Sequence, residues 1–401
     1  MAINISKGFD SIKEERIRYY KSYTYDRPFV MSIETYEEMR KLGLVIHKAI
    51  LHMINHYRDL LHLMPRDKRD LEILKICDDY AAEVGTFRTD FVIDINNQLK
   101  IIEMGTRHLL DGYFMSGFLN EIASIQSCEL GIKDVVEVYP RFFSYLEKCT
   151  ANAKRICVIK GNDKLEEMSF YPELFKESGL DVVIIPVEQI SDNFHLLADS
   201  WVIGELIHSE IRSLSPEVIH ALANCNFNNA IKSMITTHDK RFYYVLGQTE
   251  FTDQVLTASE KELLLRYLVP TWIPGKNLEQ WEVAYHNKDG YILKHHLKGR
   301  SEDIYAGSMT NEQDWKILFD SGQINEMVLQ RFIEQKKFIG TIGKEKRDDY
   351  VTGTLLYFNE EFFGPGIYRT SSLPVSNLSD FRKAGQLVAK AEEKIPGINY
   401  L

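Results

Sequence analysis

Two acidic residues thirteen positions apart open the chemistry of this chain. Asp90 stands in Phe87-Arg88-Thr89-Asp90-Phe91, and Glu103 in Ile101-Ile102-Glu103-Met104-Gly105-Thr106-Arg107. Short apolar runs on either side of Asn96-Asn97 predict a β-hairpin, which sets the two acids on adjacent strands. Carboxylates held so repel one another unless a cation lies between them, and Mg²⁺ favours carboxylate oxygens shared with phosphate oxygens. Arg88 and Arg107 bring positive charge to the same edge. As a pattern alone, the segment equally describes a surface hairpin with ordinary salt bridges, and that reading is preferred at this point.

Further along, Tyr291-Ile292-Leu293-Lys294 predicts a strand whose last lysine can present an ammonium to a phosphate. The polar loop after it runs to Gly307 and has only Gly299 in its middle. Backbone amides there can help hold an anion, but no Walker pattern is present. Gly364-Pro365-Gly366-Ile367-Tyr368-Arg369-Thr370-Ser371-Ser372 predicts a tight turn that sets an arginine beside hydroxyls. A guanidinium grips carboxylate or phosphate with two parallel hydrogen bonds.

Other reactive types carry less. His47, His52, His56 and His62 fall on one predicted helix, and His52 and His56 have i, i+4 spacing. The intervening glutamate of a zinc protease is missing, so four helix-surface histidines are expected. Ser371 and Ser372 have no accompanying triad pattern. Five cysteines, with no CxxC pair, fit buried small residues in a reduced compartment.

Taken together these stretches resemble the ATP-grasp ligases. Arg88-x-Asp90-Phe91 with Glu103-x-Gly105-x-Arg107 is similar to that family's metal hairpin, although Gly105 stands where an Asn is usual. Lys294 to Gly307 is similar to its phosphate loop in length and ends, with most glycines lost. Lys298 lies near the place of a metal-binding Glu, and Glu302 or Asp303 is the candidate to compensate. Met327-Val-Leu-Gln330-Arg-Phe332-Ile-Glu334 resembles the hinge strand beside adenine, and His238-Asp239-Lys240-Arg241-Phe242 the segment of an earlier ATP lysine. The hairpin precedes Lys240 by 150 residues. This order resembles the circularly permuted branch that includes eukaryotic-type glutathione synthetase and the glutathionylspermidine synthetase domain. Gly353-Thr-Leu-Leu-Tyr-Phe followed by Gly366-Ile-Tyr-Arg369-Thr370 resembles a further element of that branch.

The resemblance implies an α/β (α+β) chain with a circularly permuted ATP-grasp fold, a βαβ substrate-type subdomain and N-terminal helices. It implies an ATP-dependent carboxylate–amine ligase working through an acyl phosphate. In that scheme Lys240, Lys294, Ser301, Gln330 and Phe332 bind ATP. Asp90 and Glu103 hold Mg²⁺. Arg88, Arg107 and Arg369 orient the transferring phosphoryl group or the acceptor carboxylate, and the loop from Lys298 to Asp303 shields them. Two alternatives remain: a non-catalytic nucleotide-binding or scaffold protein on the same fold, and an acyl kinase.

The elements that must position these residues come from periodicity. Ser32 with Glu34 opens an amphipathic helix carried by Leu42, Val45, Ile46, Ile50, Met53 and Ile54, predicted to end near Met64-Pro65. A second helix is expected over Lys68–Ala82 and a third over Asp111–Ile132. Ile156 to Ile159, a helix with Phe170, Leu174 and Phe175, and Val182 to Pro186 form a βαβ unit without GxGxxG. Two helices are expected between Asp239 and Tyr291, a helix at Glu312–Phe319, and strands at Met327–Ile333 and Val351–Phe358. Three regions follow: 1–150 with helices and hairpin, 151–235 with the βαβ unit, and 236–401 with the nucleotide lid and the rest of the core.

The chain has 401 residues, 44% hydrophobic and 26% charged, which is ordinary for a globular protein. A formal net charge of −10 argues against nucleic-acid binding by bulk charge. The polar start, MAINISKGFDSIKEERIRYY, has no apolar signal core, and no stretch is long and apolar enough to span a bilayer. A cytoplasmic protein is expected, acting on a small-molecule carboxylate and amine of the amino-acid, peptide or polyamine class. No nucleic-acid or membrane partner is expected, and a homodimer is left open.

Overall fold

In the computed structural model the residues described are 4–106, 112–136, 138–162, 170–177, 179–227, 230–299, 301–376, 381–390 and 395–401. Arg107 lies outside them.

The chain opens with helix α1 (Ile5–Lys21), started by Asn4, whose side chain accepts from the Lys7 amide. This polar segment carried no strong periodic signal. Its few apolar residues, Ile5 and Phe9 among them, are buried against other aromatics such as Phe118 and Phe143. Helix α2 (Ile33–His56) begins as expected, the Ser32 hydroxyl accepting from the Thr35 amide at 3.1 Å. It stops eight residues before Met64. The segment beyond it coils through successive short turns, with Asp59 bonding back to His56 and Leu63 to Leu60. Leu60, Leu63 and Met64 stay buried, so the apolar pattern continued although the helix did not. Helix α3 (Lys68–Cys77) starts at Asp67 and ends five residues before Ala82.

Strand β1 is Phe29–Ser32. The expected hairpin is present as β2 (Thr86–Ile93) and β3 (Leu99–Gly105). Its turn is closed by Asp94, whose carboxylate accepts from the amides of Asn96 and Gln98 at 2.9 and 2.8 Å. The helix expected over Asp111–Ile132 is Tyr113–Cys128. Four parallel strands follow: β4 (Arg155–Lys160), β5 (Asp181–Pro186), β6 (Ser200–Glu205) and β7 (Asn226–Phe227), in the order β5-β4-β6-β7. The βαβ unit is thus present with its parallel pair, in a larger sheet. Between Asp239 and Tyr291 there are four helices rather than two: Phe242–Leu246, Thr249–Val255, Ala258–Tyr267 and Leu278–His286. Caps break the run, for example Thr257, which accepts from the Glu260 amide.

Two antiparallel sheets matter most for function. The smaller one contains β8 (Thr271–Trp272), β9 (Tyr291–His295), β10 (Ile304–Ala306) and β11 (Met327–Arg331), in the order β10-β9-β11-β8. The larger one adds β12 (Lys337–Ile342), β13 (Glu345–Phe358), β14 (Glu361–Ser371) and β15 (Lys383–Ala384) to the hairpin, in the order β15-β14-β13-β2-β3 with β12 on β13. Gly364 to Gly366 is therefore strand rather than tight turn. The reversal lies earlier, at Asn359 and Glu360, and Gly364 (φ 93°) marks an irregularity within β14. Strands β16 (Gln386–Ala389) and β17 (Asn399–Tyr400) flank β1 in a small parallel sheet.

Close approach fixes how these layers meet. A Cβ on Gly43 of α2 would lie 2.1 Å from the Tyr357 ring, so only glycine lets the helix seat on β13. Phe87 and Phe91 of the hairpin join this same core with Tyr357 and the buried stripe of α2. Strand β2 is thus an inner strand of the large sheet with β3 at its edge, and the hairpin is packed into the core rather than the surface hairpin that its pattern alone favoured.

Candidate functional site

Alternation along β2 puts Arg88, Asp90 and Val92 on one face. In the hairpin register Asp90 lies opposite Glu103, with an irregularity just beyond that pair, and Arg88 lies opposite Gly105. Arg369 on β14 reaches over β13, and its Nη2 sits 2.6 Å from Asp90 Oδ2. From the other side, β9 presents Lys294 and β11 presents Gln330, neighbouring strands of the smaller sheet.

These residues line one cavity of about 120 Å³ between the two sheets: Arg88, Asp90, Glu103, Lys294, Gln330 and Arg369. Ser301 and Phe332 line it as well. Val92, Ile102, Ile292 and Ile304 add apolar lining. Lys240 joins the group through Glu103, with its Nζ 3.3 Å from Oε1. Of the ten residues singled out in the sequence, only Arg107 cannot be placed.

The charges are tightly interlocked. Asp90 accepts from Arg88 Nε at 2.8 Å as well as from Arg369. Lys294, 4% exposed, donates to the Ile102 carbonyl at 3.1 Å and to Gln330 Oε1 at 2.8 Å. The Gln330 amide in turn donates to Thr271 at 3.0 Å, which fixes its orientation. Burial pushes the Lys294 ammonium down to about 8, against the opposing pull of Glu103. Burial raises the Glu103 carboxyl, but Lys240 and Lys294 outweigh it and hold the group below its usual range. The Nε of Arg369 is buried and has no hydrogen-bond partner among the described residues.

The loop after β9 covers this group. The Lys298 carbonyl accepts from Lys240 Nζ, and Lys298 itself binds Glu302 at 2.9 Å and Asp303 at 2.6 Å. Ser301 donates to the Ser376 carbonyl at 2.9 Å. Ser301 (φ 61°) and Asp303 (φ 50°) adopt a left-handed backbone that suits glycine best. The loop keeps a turn at positions where its glycines are missing.

Asp90 and Glu103 are the metal candidates, and the donor set can be judged on its chemistry. Two carboxylates on adjacent strands suit one Mg²⁺ that also takes phosphate oxygens. Gly105 offers no third oxygen, and space is open where its Cβ would stand. Among the described residues no cluster of three His, Cys, Asp or Glu side chains is arranged for a metal. The residues present therefore fit a single shared ion, not a self-sufficient metal site.

One group escaped the sequence reading. Asp239, 1% exposed, meets Arg241 at 2.6 Å, His296 at 3.1 Å and Arg66 at 3.4 Å. Arg66 also donates to the carbonyls of Ile235 and Thr236. Burial works against the Asp239 carboxylate, yet Arg241, His296 and Arg66 hold it well below the usual range. The cluster anchors the segment bearing Lys240, whose amide bonds to the His296 carbonyl at 2.9 Å. Its only sequence hint was adjacency to Lys240. His47 also differs from expectation, being buried rather than a surface histidine, and His52 packs against Phe251. All five cysteines are free, and Cys128 is exposed.

No helix among the described residues is long and apolar enough to cross a membrane. Residues 42–235, just under half of the chain, match the family described as the AnkG N-terminal domain. That match runs from α2 through the parallel sheet and ends before Lys240. No curated protein matches the sequence. Among solved structures, the apo form of a glutathione synthetase-like effector (GSS30) from Globodera pallida is similar over 94% of this chain and 96% of that one. The TM-score is 0.59 at 11% sequence identity. The chain is a mixed α/β protein whose fold is similar to that of this glutathione synthetase-like effector.

Proposed function

We propose that this protein is an ATP-dependent carboxylate–amine ligase of the permuted ATP-grasp type. The observation that carries the reading is the convergence of Arg88, Lys240, Lys294 and Arg369 around Asp90 and Glu103, between two antiparallel sheets. Four cations against two carboxylates leave an excess of positive charge in a chain of net charge −10. That excess suits a polyphosphate. The likeness to a glutathione synthetase-like effector supports the fold part of this reading.

In this scheme Lys240 and Lys294 neutralise phosphate oxygens. The apolar lining of the cavity, with Phe332 and Gln330, receives the base. Arg369, with one donor unmet, orients the acceptor carboxylate, and Arg88 fixes Asp90. Asp90 and Glu103 would hold one Mg²⁺, which supplies charge neutralisation at the phosphates. A carboxylate oxygen bonds to the γ-phosphorus and ADP leaves. An amine then bonds to the acyl carbon, phosphate leaves, and the amine loses a proton. The loop closed by Ser301 and Ser376 keeps water from the acyl phosphate.

Specific observations favour a second reading, nucleotide binding without turnover. Asp90 is saturated by two arginines, and Gly105 withholds a donor. The test is ¹⁸O transfer from labelled carboxylates to phosphate, with amide product read by mass over a panel of amino acids, peptides and polyamines. Label in phosphate together with amide supports the ligase. Label without amide under any amine means an acyl kinase. Tight ATP binding with neither product means a binding protein. In that case Gly105→Asn, which has room for its side chain, should tighten Mg²⁺ binding in the presence of nucleotide.

A further inference from the structure

Two glutamines line the cavity at Lys294, Gln330 and Gln335, and their amides are used differently. Gln330 is fully committed within the protein. Its oxygen accepts from Lys294 Nζ at 2.8 Å, and its nitrogen donates to Thr271 Oγ1 at 3.0 Å. Gln335 is committed on one side only. Its Nε2 donates to the Pro374 carbonyl at 2.8 Å, while its Oε1 is buried and has no hydrogen-bond partner among the described residues. The two ends of this amide are not interchangeable. A carbonyl can only accept, so the nitrogen must face Pro374 and the other end must be the oxygen. Gln335 therefore brings an acceptor, not a donor, to its place in the cavity wall.

The backbone holds this residue in place. The Ile95 amide donates to the Glu334 carbonyl at 3.1 Å, and the Lys336 amide to the Ile93 carbonyl at 2.9 Å. Gln335 itself is bridged to Asp94, four residues on from Asp90. Its backbone thus stands about 13 Å along the extended chain from the Asp90–Glu103 pair. Val92, Phe332 and Ile333, its near neighbours along the two segments, line the same cavity and are uncharged. Buried acceptors are nearly always satisfied in folded proteins, so an unmet one on a fixed wall of a cavity calls for a donor of matching chemistry. Uncharged surroundings away from the carboxylates suit a base rather than a phosphate.

We propose that Gln335 selects the base of the bound nucleotide, its Oε1 accepting a hydrogen bond from the 6-amino group of adenine. The inference rests on the nucleotide reading of this cavity and deepens it. Adenine carries an amine donor at the position where guanine carries an acceptor oxygen. The donor satisfies Oε1. An oxygen in its place leaves two buried acceptors facing one another, each without a partner. Sites built to hydrogen-bond a substrate group reject analogues that lack it far better than apolar pockets reject a change of size. Gln330 cannot make this distinction, because both ends of its amide are taken.

The test is calorimetric titration of the full chain with ATP, ITP and GTP in the presence of Mg²⁺. ITP carries an oxygen in place of the 6-amino group and has no other exocyclic amine. ATP should bind about tenfold to a hundredfold more tightly than ITP, as expected when a buried acceptor is left unmet. Gln335→Met, close in size, should bring the ATP-to-ITP ratio to near one. Gln330→Met should weaken both nucleotides and keep the ratio. Equal affinity of the wild type for ATP and ITP would overturn the base selection while leaving the nucleotide reading intact, and this comparison needs no variant. A ratio that survives Gln335→Met, or that is lost only in Gln330→Met, would overturn the assignment to Gln335. GTP binding as tightly as ATP would mean that a 2-amino group satisfies the site, and would overturn the choice of adenine. Binding of none of the three would remove the nucleotide reading, and this inference with it.

Discussion

Lys294 concentrates the physical argument at the scale of one residue. It is almost fully buried, touches Gln330 and the Ile102 carbonyl, and has its ammonium pushed down to about 8 by that burial. A phosphate would restore the charge, so above pH 8 nucleotide binding must take up a proton. Affinity should then fall about tenfold per pH unit above 8, by linkage. Lys294→Arg keeps its charge to above pH 12 or so and should flatten that decline. Titration of a fluorescent ATP analogue between pH 7 and 9.5 at fixed ionic strength (about two and a half decades of proton activity) checks both. A wild-type affinity that stays level across this range removes Lys294 from the phosphate site. The residue types were legible early because lysines, arginines and paired carboxylates announce their chemistry. The unpaired Nε of Arg369 and the buried ring of His47 were not, since satisfaction and burial belong to packing rather than to spacing.

The hairpin of β2 and β3 shows what was legible in an element and what was not. Its turn residues, Asp94 to Gln98, carried a local signal, and the acids duly face one another. Its place inside a large sheet had no local signal, because β13 arrives from more than 250 residues later. The same holds for β14, where two glycines suggested a turn but long-range pairing with β13 made a strand. Gly353 on β13 is where this pairing is most exacting. A Cβ there would lie 2.1 Å from the Phe91 ring, next to the residue that bears the Asp90 carboxylate. Gly353→Ala should therefore force the two strands apart and cost about 1–3 kcal/mol, as overpacking does. Urea unfolding measures it, and an unchanged midpoint would mean that Phe91 has room to move. Because Phe91 adjoins Asp90, nucleotide affinity should fall in the same variant even where it remains folded.

Across the whole molecule, two chains of buried charge link parts that the sequence keeps far apart. Asp70 on α3 binds Arg212 at 2.8 Å and His208 at 3.1 Å, just beyond the parallel strand β6. Arg66, a few residues before, binds Asp239 beside Lys240, and Asp239 binds His296 at the end of β9. Helices, parallel sheet and the smaller antiparallel sheet thus meet through carboxylates that no motif revealed, since these partners are separated by scores of residues. Asp239 is the centre of the second cluster, 1% exposed and faced by Arg66, Arg241 and His296. Removing its charge leaves buried arginine uncompensated, so Asp239→Asn should cost about 3–5 kcal/mol at neutral pH. The pH dependence gives an independent check on the cause. The folded Asp239 carboxyl is held well below its ordinary range, so its contribution is fully present above the unfolded value of about 4. It is lost as pH falls further toward the folded value, because the unfolded chain then takes up a proton at this carboxyl while the folded form stays ionised. The stability gap between wild type and Asp239→Asn should accordingly be widest above pH 5 or so and shrink below about 4. Urea midpoints collected over that range decide the matter. A gap that stays constant with pH would assign the loss to altered packing around residue 239, and the charge cluster would then be no more than a consequence of how the helices and the smaller antiparallel sheet already sit together.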